Sequence, residues 1–234
     1  MIDLHSHIIP NVDDGSRRLE DSINLVKEAI ELGITDIVFT PHYEITPNRV
    51  IPNVNINEAF DNFKNELQKE ELNINVYLGN EVTLENGIYK HIKDNKCLTI
   101  NNSKYILLEL DFFAEEEEIG EIIYELGLAG YRVIIAHAER YMYADYKYIE
   151  MLVREGALIQ INATSIITKH PFLRKFIMKL IKNNLVHFVS SDVHFGRENK
   201  MLEAYQMVAK KFNKDIANKL FIENPRKVLL NQDL

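Results

Sequence analysis

The sequence predicts an α/β protein, a single-domain, TIM-like (β/α)7 barrel that spans residues 1–234. Apolar runs of strand length alternate with amphipathic helical patterns about seven times along the chain, as expected for parallel βαβ units. The 234 residues, 46% of them hydrophobic, are enough for one full core, and β/α barrels of about this size form single domains. The sequence has no GxGxxG or GxxxxGK[ST] pattern, which disfavours a doubly wound nucleotide-binding sheet.

Seven apolar runs predict the strands. Each run is short and bounded by polar, Gly or Pro residues, and several are continuous in Ile, Leu and Val, a composition typical of parallel strands that are buried on both faces. The predicted strands are residues 1–4, 36–40, 74–78, 105–110, 132–136, 157–161 and 186–190.

The segments between these runs predict helices. The first, residues 19–32, has Leu19 and Ile23 on its apolar face and stops before Gly33, a residue type common just after helix ends. The other predicted helices are residues 57–71, 116–128, 145–155, 172–183, 198–212 and 214–221. Pro225 follows the last of them and is expected to end it.

The net charge and the absence of long apolar runs disfavour some binding partners and a membrane location. Acidic residues outnumber basic residues by 35 to 27, for a formal net charge of -8, which disfavours binding to nucleic-acid phosphates. The acidic residues 115–118 fit a solvated helix N-terminus, where the helix dipole favours negative charge. The chain begins without a signal-peptide pattern and has no apolar run of about 18 residues. The sequence therefore predicts a cytoplasmic protein without a membrane span.

The cysteine content limits the chemistry. Cys97 is the one cysteine, which excludes an intrachain disulfide and fits a reducing compartment. Cysteine-dependent phosphatases need a Cys-x5-Arg motif, and Ser103 stands where that Arg would be. A cysteine phosphatase mechanism is therefore excluded.

Metal-binding residue types follow the predicted strands at their carboxyl ends. In a β/α barrel these ends meet on one face, where active sites lie. The residues placed there are His5, His7, His42, Glu81, Glu109, His137, Asp192 and His194. A single His after a strand is more often a hydrogen-bonding loop residue than a ligand. Because five of the eight histidines fall at strand ends, we expect a shared site and assign no role to His91, His170 and His187.

Glu109 interrupts an otherwise apolar run. A carboxylate buried without a partner is strongly destabilising, so this position needs a metal ion or an ion pair. The mixture of imidazole and carboxylate groups suits Mn, Fe or Zn. The ligand set exceeds what one ion can bind, so we expect two or three divalent ions.

The expected ions indicate phosphoester hydrolysis, because two ions can stabilise both the attacking and the leaving oxygen of phosphoryl transfer. Arg140 and Arg197 each lie three residues beyond a candidate ligand. Either guanidinium group could bind a phosphate through paired hydrogen bonds, and a surface ion pair is the alternative for each.

These motifs resemble the polymerase-and-histidinol-phosphatase (PHP) superfamily, and more narrowly its bacterial protein-tyrosine phosphatases associated with capsule and exopolysaccharide synthesis. The motifs are His5-Ser6-His7, Asp13-Asp14-Gly15, Thr40-Pro41-His42, Gly79-Asn80-Glu81, His137-Ala138-Glu139-Arg140-Tyr141 and Ser191-Asp192-x-His194. The resemblance extends over almost the whole chain. It implies a distorted (β/α)7 barrel, the PHP fold, with a trinuclear site that is often occupied by manganese.

The resemblance also implies a role for each site residue. One ion would be bound by His5, His7, Glu81 and Asp192, a second by Glu81, Glu109 and His137, and a third by Asp14, His42 and His194. Asp13 stays open as the alternative to Asp14. Arg140 and Arg197 would bind the phosphate. In the mechanism that we expect, Asp192 or His194 supplies a proton through a metal-bound water.

The function implied is metal-dependent hydrolysis of phosphotyrosine, with the C-terminal tail of a bacterial tyrosine kinase as the expected substrate. Phe112, Phe113, Tyr141 and Tyr143 would either flank the substrate ring or pack the rim of the site. The alternatives are a PHP phosphatase for a small phosphomonoester such as histidinol phosphate, a PHP-type nuclease and a metal-bound regulatory module. The oligomeric state stays open, with a homo-oligomer among the options.

Overall fold

The computed structural model describes residues 1–113 and 118–234. Its strands are β1 (Ile2–Asp3), β2 (Asp36–Phe39), β3 (His42–Tyr43), β4 (Asn75–Leu78), β5 (Glu81–Thr83), β6 (Tyr105–Glu109), β7 (Arg132–Ile135), β8 (Leu158–Asn162) and β9 (Phe188–Ser190). They pair in the orders β1-β2-β4 and β3-β5-β6-β7-β8-β9, and every pairing is parallel.

Two of the predicted strands are each followed by a short second strand beyond the predicted end. Pro41, which has no N–H to donate, interrupts the strand between β2 and β3, and Gly79 with Asn80 interrupts it between β4 and β5. Backbone hydrogen bonds continue across the breaks, from the Gly79 N–H to the Phe39 carbonyl at 3.0 Å and from the Glu81 N–H to the Pro41 carbonyl at 3.2 Å. β3 and β5 therefore extend the two predicted strands past residues 40 and 78.

The first and last strands join at the edges of the curled sheet. The Asp192 N–H donates to the His5 carbonyl, and the His7 N–H donates to the Val193 carbonyl, both at 2.9 Å. A parallel bridge pairs Ser6 with Val193. The predicted α/β fold with a curled parallel sheet is confirmed, and parallel pairing brings the carboxyl ends of the strands to one face.

The helices alternate with these strands. They are α1 (Leu19–Glu31), α2 (Ile56–Lys69), α3 (Ile88–Lys93), α4 (Ile119–Leu128), α5 (Tyr146–Arg154), α6 (Ala163–Ile166), α7 (Pro171–Lys182), α8 (Met201–Lys211), α9 (Lys214–Asn218) and α10 (Asn224–Leu229). The side chains of Asn55, Asp145 and Asn213 accept hydrogen bonds from N–H groups in the first turns of α2, α5 and α9, which have no intrahelical acceptor. None of the described helices has the length and apolar content that crossing a membrane requires.

The predicted start of the helix that corresponds to α4, at Glu116, lies outside the described residues. The same holds for residues 115–117 of the acidic run, whose proposed position at a helix N-terminus stays a prediction. The described part of this helix begins at Ile119, directly after Glu118.

The prediction that the last helix ends before Pro225 is wrong. A π-helical turn, Lys219–Glu223, joins α9 to α10, and Pro225 lies in the first turn of α10. Proline is tolerated there because N–H groups in a first turn have no intrahelical acceptor. The chain therefore remains helical to Leu229, and Val228 packs into the barrel interior.

Two apolar clusters lie on the two faces of the sheet. The larger cluster packs the helices against the outer face, and the smaller one fills the barrel interior. Tyr105 and Leu107 of β6 belong to the inner cluster, while Ile106 and Leu108 belong to the outer one, as a period of two requires. The next inward position of β6 is Glu109, so strand periodicity directs this carboxylate into the barrel.

Candidate metal centre

The nine predicted metal ligands converge at the carboxyl ends of the strands, and all except Asp14 are buried. Three groups have ligand atoms within 4.8 Å of one another: His7, Asp14, His42 and His194; His5, His7 and Glu81; and His42, Glu81 and Glu109. The other two predicted ligands border these groups. His137 Nε2 lies 2.8 Å from Glu81 Oε1, and Asp192 Oδ1 lies 3.5 Å from His5 Nε2.

Glu81 lies at the centre of the cluster. Its Oε2 lies 3.3 Å from His5 Nε2, 3.2 Å from His7 Nε2 and 3.0 Å from His42 Nδ1. Its Oε1 contacts His137. Burial opposes ionisation of this carboxyl, but the imidazoles, His5 and His42 foremost, hold its pKa well below the ordinary value. A charged carboxylate that contacts four imidazoles is placed to bridge two cations.

The hydrogen bonds behind the imidazoles determine which ring nitrogen faces the centre with a lone pair. His7 Nδ1 lies 2.7 Å from Asp13 Oδ2, an acceptor, so Nδ1 carries a proton. His5 Nδ1 lies 3.2 Å from Gln160 Oε1, which also accepts the His137 N–H. In the neutral rings both Nε2 atoms therefore present lone pairs, although they lie only 3.1 Å apart. Such an arrangement needs a positive charge between the two atoms, which either a proton on one ring or a bound metal ion supplies.

Asp13 and Asp14 occupy different positions. Asp13 Oδ2 accepts from His7 Nδ1 and from the His42 N–H, the latter at 3.1 Å. It therefore contacts the side of the His7 ring that faces away from Glu81 and orients that ring. Asp14 Oδ1 lies 3.3 Å from His42 Nε2 and 3.5 Å from His194 Nε2. Of the two aspartates, Asp14 is the one that belongs to a ligand group, and this supports its predicted role.

Asp192 connects the cluster to both predicted phosphate-binding arginines. Arg140 Nη1 donates to Asp192 Oδ2 at 3.0 Å, Asn162 Nδ2 donates to the same atom at 2.8 Å, and Arg197 Nη1 lies 3.8 Å away. Burial opposes ionisation of Asp192, but neighbouring imidazoles, with His5 first, lower its pKa to about 2. Both arginine side chains are partly exposed, so both can reach a ligand at the mouth of the site.

Gln160 and Arg49 belong to this site, but they were not identified from the sequence. Gln160 stands between Ile159 and Ile161 in β8, and this polar–apolar alternation was a readable sign of an inward side chain. Arg49 lies on an irregular segment without any such pattern. Its Nη1 and Nη2 both donate to Glu109, so the buried carboxylate has the ion pair that the sequence left as one of two options.

The three histidines that were assigned no role lie outside the ligand groups of the described residues. His91 Nδ1 lies 2.8 Å from a tyrosine hydroxyl, the His170 side chain caps α7, and His187 Nδ1 accepts a backbone N–H. Cys97 is buried, and burial raises the pKa of its thiol to about 11. A thiol with so high a pKa is a poor nucleophile at neutral pH.

Aromatic residues near the site are divided between packing and exposure. Tyr141 is buried, and the Phe112 ring stacks on His137 with centroids 5.5 Å apart. The Arg140 guanidinium lies 4.9 Å from the Phe112 centroid. Phe113, by contrast, is 79% exposed. Tyr141 and Phe112 therefore pack against the site, which was one of the two roles expected for these aromatic residues. Phe113 remains accessible to a substrate.

Comparison with known proteins identifies similar chains over the full length. The family described as Capsular polysaccharide synthesis, CpsB/CapC, matches residues 1–230. The chain is 32% identical over 249 residues to the tyrosine-protein phosphatase CpsB of Streptococcus agalactiae, with 99% of each protein covered. It is 33% identical over 243 residues to the tyrosine-protein phosphatase YwqE of Bacillus subtilis, covering 100% of this chain and 93% of that protein.

A solved structure agrees with these relatives. It is described as belonging to crystal structures of YwqE from Bacillus subtilis and CpsB from Streptococcus pneumoniae, unique metal-dependent tyrosine phosphatases. It superposes with a TM-score of 0.92 at 32% sequence identity, covering 100% of this chain and 96% of that chain.

Proposed function

The chain belongs to the CpsB/CapC family, and on that premise we propose that it is a metal-dependent protein-tyrosine phosphatase. The resemblance stated from the sequence motifs is thereby confirmed. The observation that carries the proposal is the pair of facing Nε2 atoms of His5 and His7 beside Glu81, an arrangement that a bound metal ion would satisfy. The relatives that match nearly the whole chain are named tyrosine-protein phosphatases, which supports phosphotyrosine hydrolysis as the reaction at this centre.

We propose three ion positions. The ligands are His5, His7, Glu81 and Asp192 for the first ion, Glu81, Glu109 and His137 for the second, and Asp14, His42 and His194 for the third. Manganese is the proposed metal, with iron or zinc as the alternatives, because imidazole and carboxylate ligands suit all three. When bound, such ions lower the pKa of water and neutralise charge on phosphate oxygens.

The arginines are proposed to bind the phosphate group. Guanidinium forks match the spacing of phosphate oxygens, and both Arg140 and Arg197 lie beside Asp192. The Phe112 ring limits where the Arg140 guanidinium can point. Asp192 or His194, each acting through a water molecule, is proposed to deliver the proton to the leaving phenolate, whose ordinary pKa of about 10 means that it needs little assistance.

A phosphotyrosine-bearing protein tail is the proposed substrate. The exposed Phe113 side chain offers an apolar contact to an aromatic ring at the rim of the site. We further propose that the tail is that of a bacterial tyrosine kinase, that the reaction occurs in the cytoplasm, and that residues 1–234 act as one domain. The positions of the predicted ligands support a single domain. One site draws on residues from His5, near the amino end of the sequence, to His194, in its last fifth.

The test is phosphate release from a phosphotyrosine peptide and from histidinol phosphate, and cleavage of DNA, each with and without Mn²⁺. Wild type should release phosphate much faster from the peptide than from histidinol phosphate, should leave DNA intact, and should act only with metal. His137→Ala should lower that rate at least roughly 10²-fold, while the exposed control His170→Asn should retain it. Preferred release from histidinol phosphate would support the small-molecule phosphatase instead, and DNA cleavage would support the nuclease.

A further inference from the structure

We propose that Arg49 is a positioning residue that orients Glu109 as a metal ligand. The inference rests on the metal centre of the proposed function and on no particular substrate. Arg49 lies on residues 44–51, which follow β3 and which we call the strap.

Arg49 binds Glu109 with both ends of its guanidinium group. Nη1 donates to Glu109 Oε1 at 3.0 Å, and Nη2 donates to Oε2. The Arg49 side chain is 23% exposed and that of Glu109 is 3% exposed, so this charge-assisted fork is shielded from water. Thr83 Oγ1 accepts from Nη2 at 2.8 Å and lies 3.3 Å from Glu109 Oε2, to which it donates. Three donors therefore hold the plane of the carboxylate.

The strap in turn holds Arg49. The buried Glu44 side chain accepts from Arg49 Nε at 2.7 Å, from the Arg49 N–H at 2.8 Å and from the Asn48 N–H at 2.7 Å. The far end of the strap is tied by the Ile51 N–H, which donates to the Val12 carbonyl at 2.8 Å. Every guanidinium nitrogen of Arg49 has a partner, so the group is preset and not free to swing.

Glu109 still faces the proposed second ion while Arg49 binds it. Its Oε1 lies 3.4 Å from His137 Nε2, and Glu109 forms a ligand group with His42 and Glu81. A carboxylate oxygen has two lone pairs, so Oε1 can accept from Arg49 and bind a cation as well. Arg49 also places a positive charge beside the carboxylates of Glu81 and Glu109, which would otherwise repel each other.

Mn²⁺ binding by Arg49→Ala tests this role without any substrate. Titration calorimetry and metal analysis of gel-filtered protein should show one class of Mn²⁺ site weakened roughly 10- to 100-fold, as when the group behind a metal ligand is lost. Arg49→Lys, which keeps the charge but not the fork, should fall between that variant and wild type. The matched control is Arg18→Ala, because the exposed Arg18 also binds both oxygens of one carboxylate, that of Asp21, through its Nε and Nη2. The control should leave Mn²⁺ binding unchanged.

A double-mutant cycle separates positioning from general loosening of the site. If Arg49 acts through Glu109, then Arg49→Ala should change the remaining Mn²⁺ affinities less than about twofold in a Glu109→Gln background. Equal losses in both backgrounds, unchanged binding, or tighter binding by Arg49→Ala would each overturn the inference.

A second variant keeps the inference testable if Arg49→Ala does not fold. Glu44→Gln leaves Arg49 in place and weakens the carboxylate that holds it. This variant should lose Mn²⁺ affinity at the same class of site, but by a smaller factor than Arg49→Ala. The absence of that loss would count against the inference. A chain that binds Mn²⁺ as described but does not hydrolyse phosphotyrosine would refute the proposed function alone.

Discussion

The two ends of the barrel interior share the same strands but differ in chemistry. At the amino ends, Tyr105 of β6, Leu158 of β8 and Phe188 of β9 pack in one apolar cluster, which we call the apolar end. At the carboxyl ends, the same strands β6 and β8 present Glu109 and Gln160, both buried. This polar region, which holds the predicted ligands, is the metal end. Strand periodicity continues unchanged from one end to the other, so residue type alone creates the difference.

The difference separates stability from function. Apolar burial at one end stabilises the fold without any ligand. At the metal end, His5 and His7 face each other with their Nε2 atoms, and His137 and Asp192 have positive φ angles of 28° and 51°. Such backbone conformations cost an L-residue about 1 kcal/mol or more. Part of the backbone strain therefore lies at two predicted ligands, while other residues with positive φ, such as Glu71, lie elsewhere.

The largest effect is expected for Glu81→Gln at the metal end. The substitution removes the charge that contacts four imidazoles, so the number of bound Mn²⁺ ions should fall and kcat/KM for a phosphotyrosine peptide should drop by roughly 10⁴-fold or more. Metal analysis and steady-state kinetics measure both quantities. The metal-free variant should unfold at a temperature close to that of the metal-free wild type. Full metal content in the variant would contradict the central position of Glu81.

The next largest effect should appear at the apolar end. Phe188 is fully buried inside the barrel, and Phe188→Ala should lower the free energy of unfolding by about 3–5 kcal/mol. Urea denaturation in the presence of EDTA measures this loss. The control is Phe172→Ala, because Phe172 is 77% exposed and its removal should cost less than about 0.5 kcal/mol. The folded fraction of Phe188→Ala should bind as many ions as wild type, and a loss of ions would show that the two ends are coupled.

A smaller, pH-dependent effect is expected at His187, which directly precedes β9 at the apolar end. Burial first, and then the charges of Lys219 and Arg132, lower the pKa of His187 to about 4. The unfolded chain, with an ordinary His pKa of about 6.5, binds a proton that the folded chain does not. Stability should therefore fall by up to about 3 kcal/mol as the pH drops from about 6.5 to 4.

The contribution of His187 can be isolated with His187→Asn, which retains an acceptor near Nδ1. Urea denaturation of both metal-free proteins across that pH range should show a shallower decline for the variant. Because the imidazoles of the metal end are unchanged, their titration cancels in the difference. Identical pH dependence in the two proteins would contradict the lowered pKa.

The smallest effect is expected at the rim of the metal end. Phe113→Ala should lower kcat/KM for a phosphotyrosine peptide about three- to tenfold, since it removes one apolar contact to the ring. It should leave hydrolysis of a small aliphatic phosphomonoester unchanged. Equal losses for the two substrates would show that Phe113 supports the fold of the rim and does not contact the aromatic ring.

Most of the metal end could be predicted from the sequence because eight of the nine predicted ligands, all except Asp14, lie at or just after the end of an apolar run. Parallel topology then brings those positions together, as it does for Glu81 and Glu109. The ligand roles themselves stay predictions. Gln160 could have been found from its alternation with two isoleucines. The two short strands after Pro41 and Asn80 were missed, because each is only two or three residues long.

The sequence by itself determined the order of most strands and helices, the fold class, the family and the face on which the candidate metal ligands gather. These properties follow from local periodicity and from the residue type at each strand end. Only the tertiary structure decided that Asp14 lies among the ligand atoms while Asp13 lies behind His7. It alone also showed that Arg49, 60 positions away in the chain, pairs with Glu109. Such contacts depend on the path of an irregular strap, and no periodicity in a sequence describes that path.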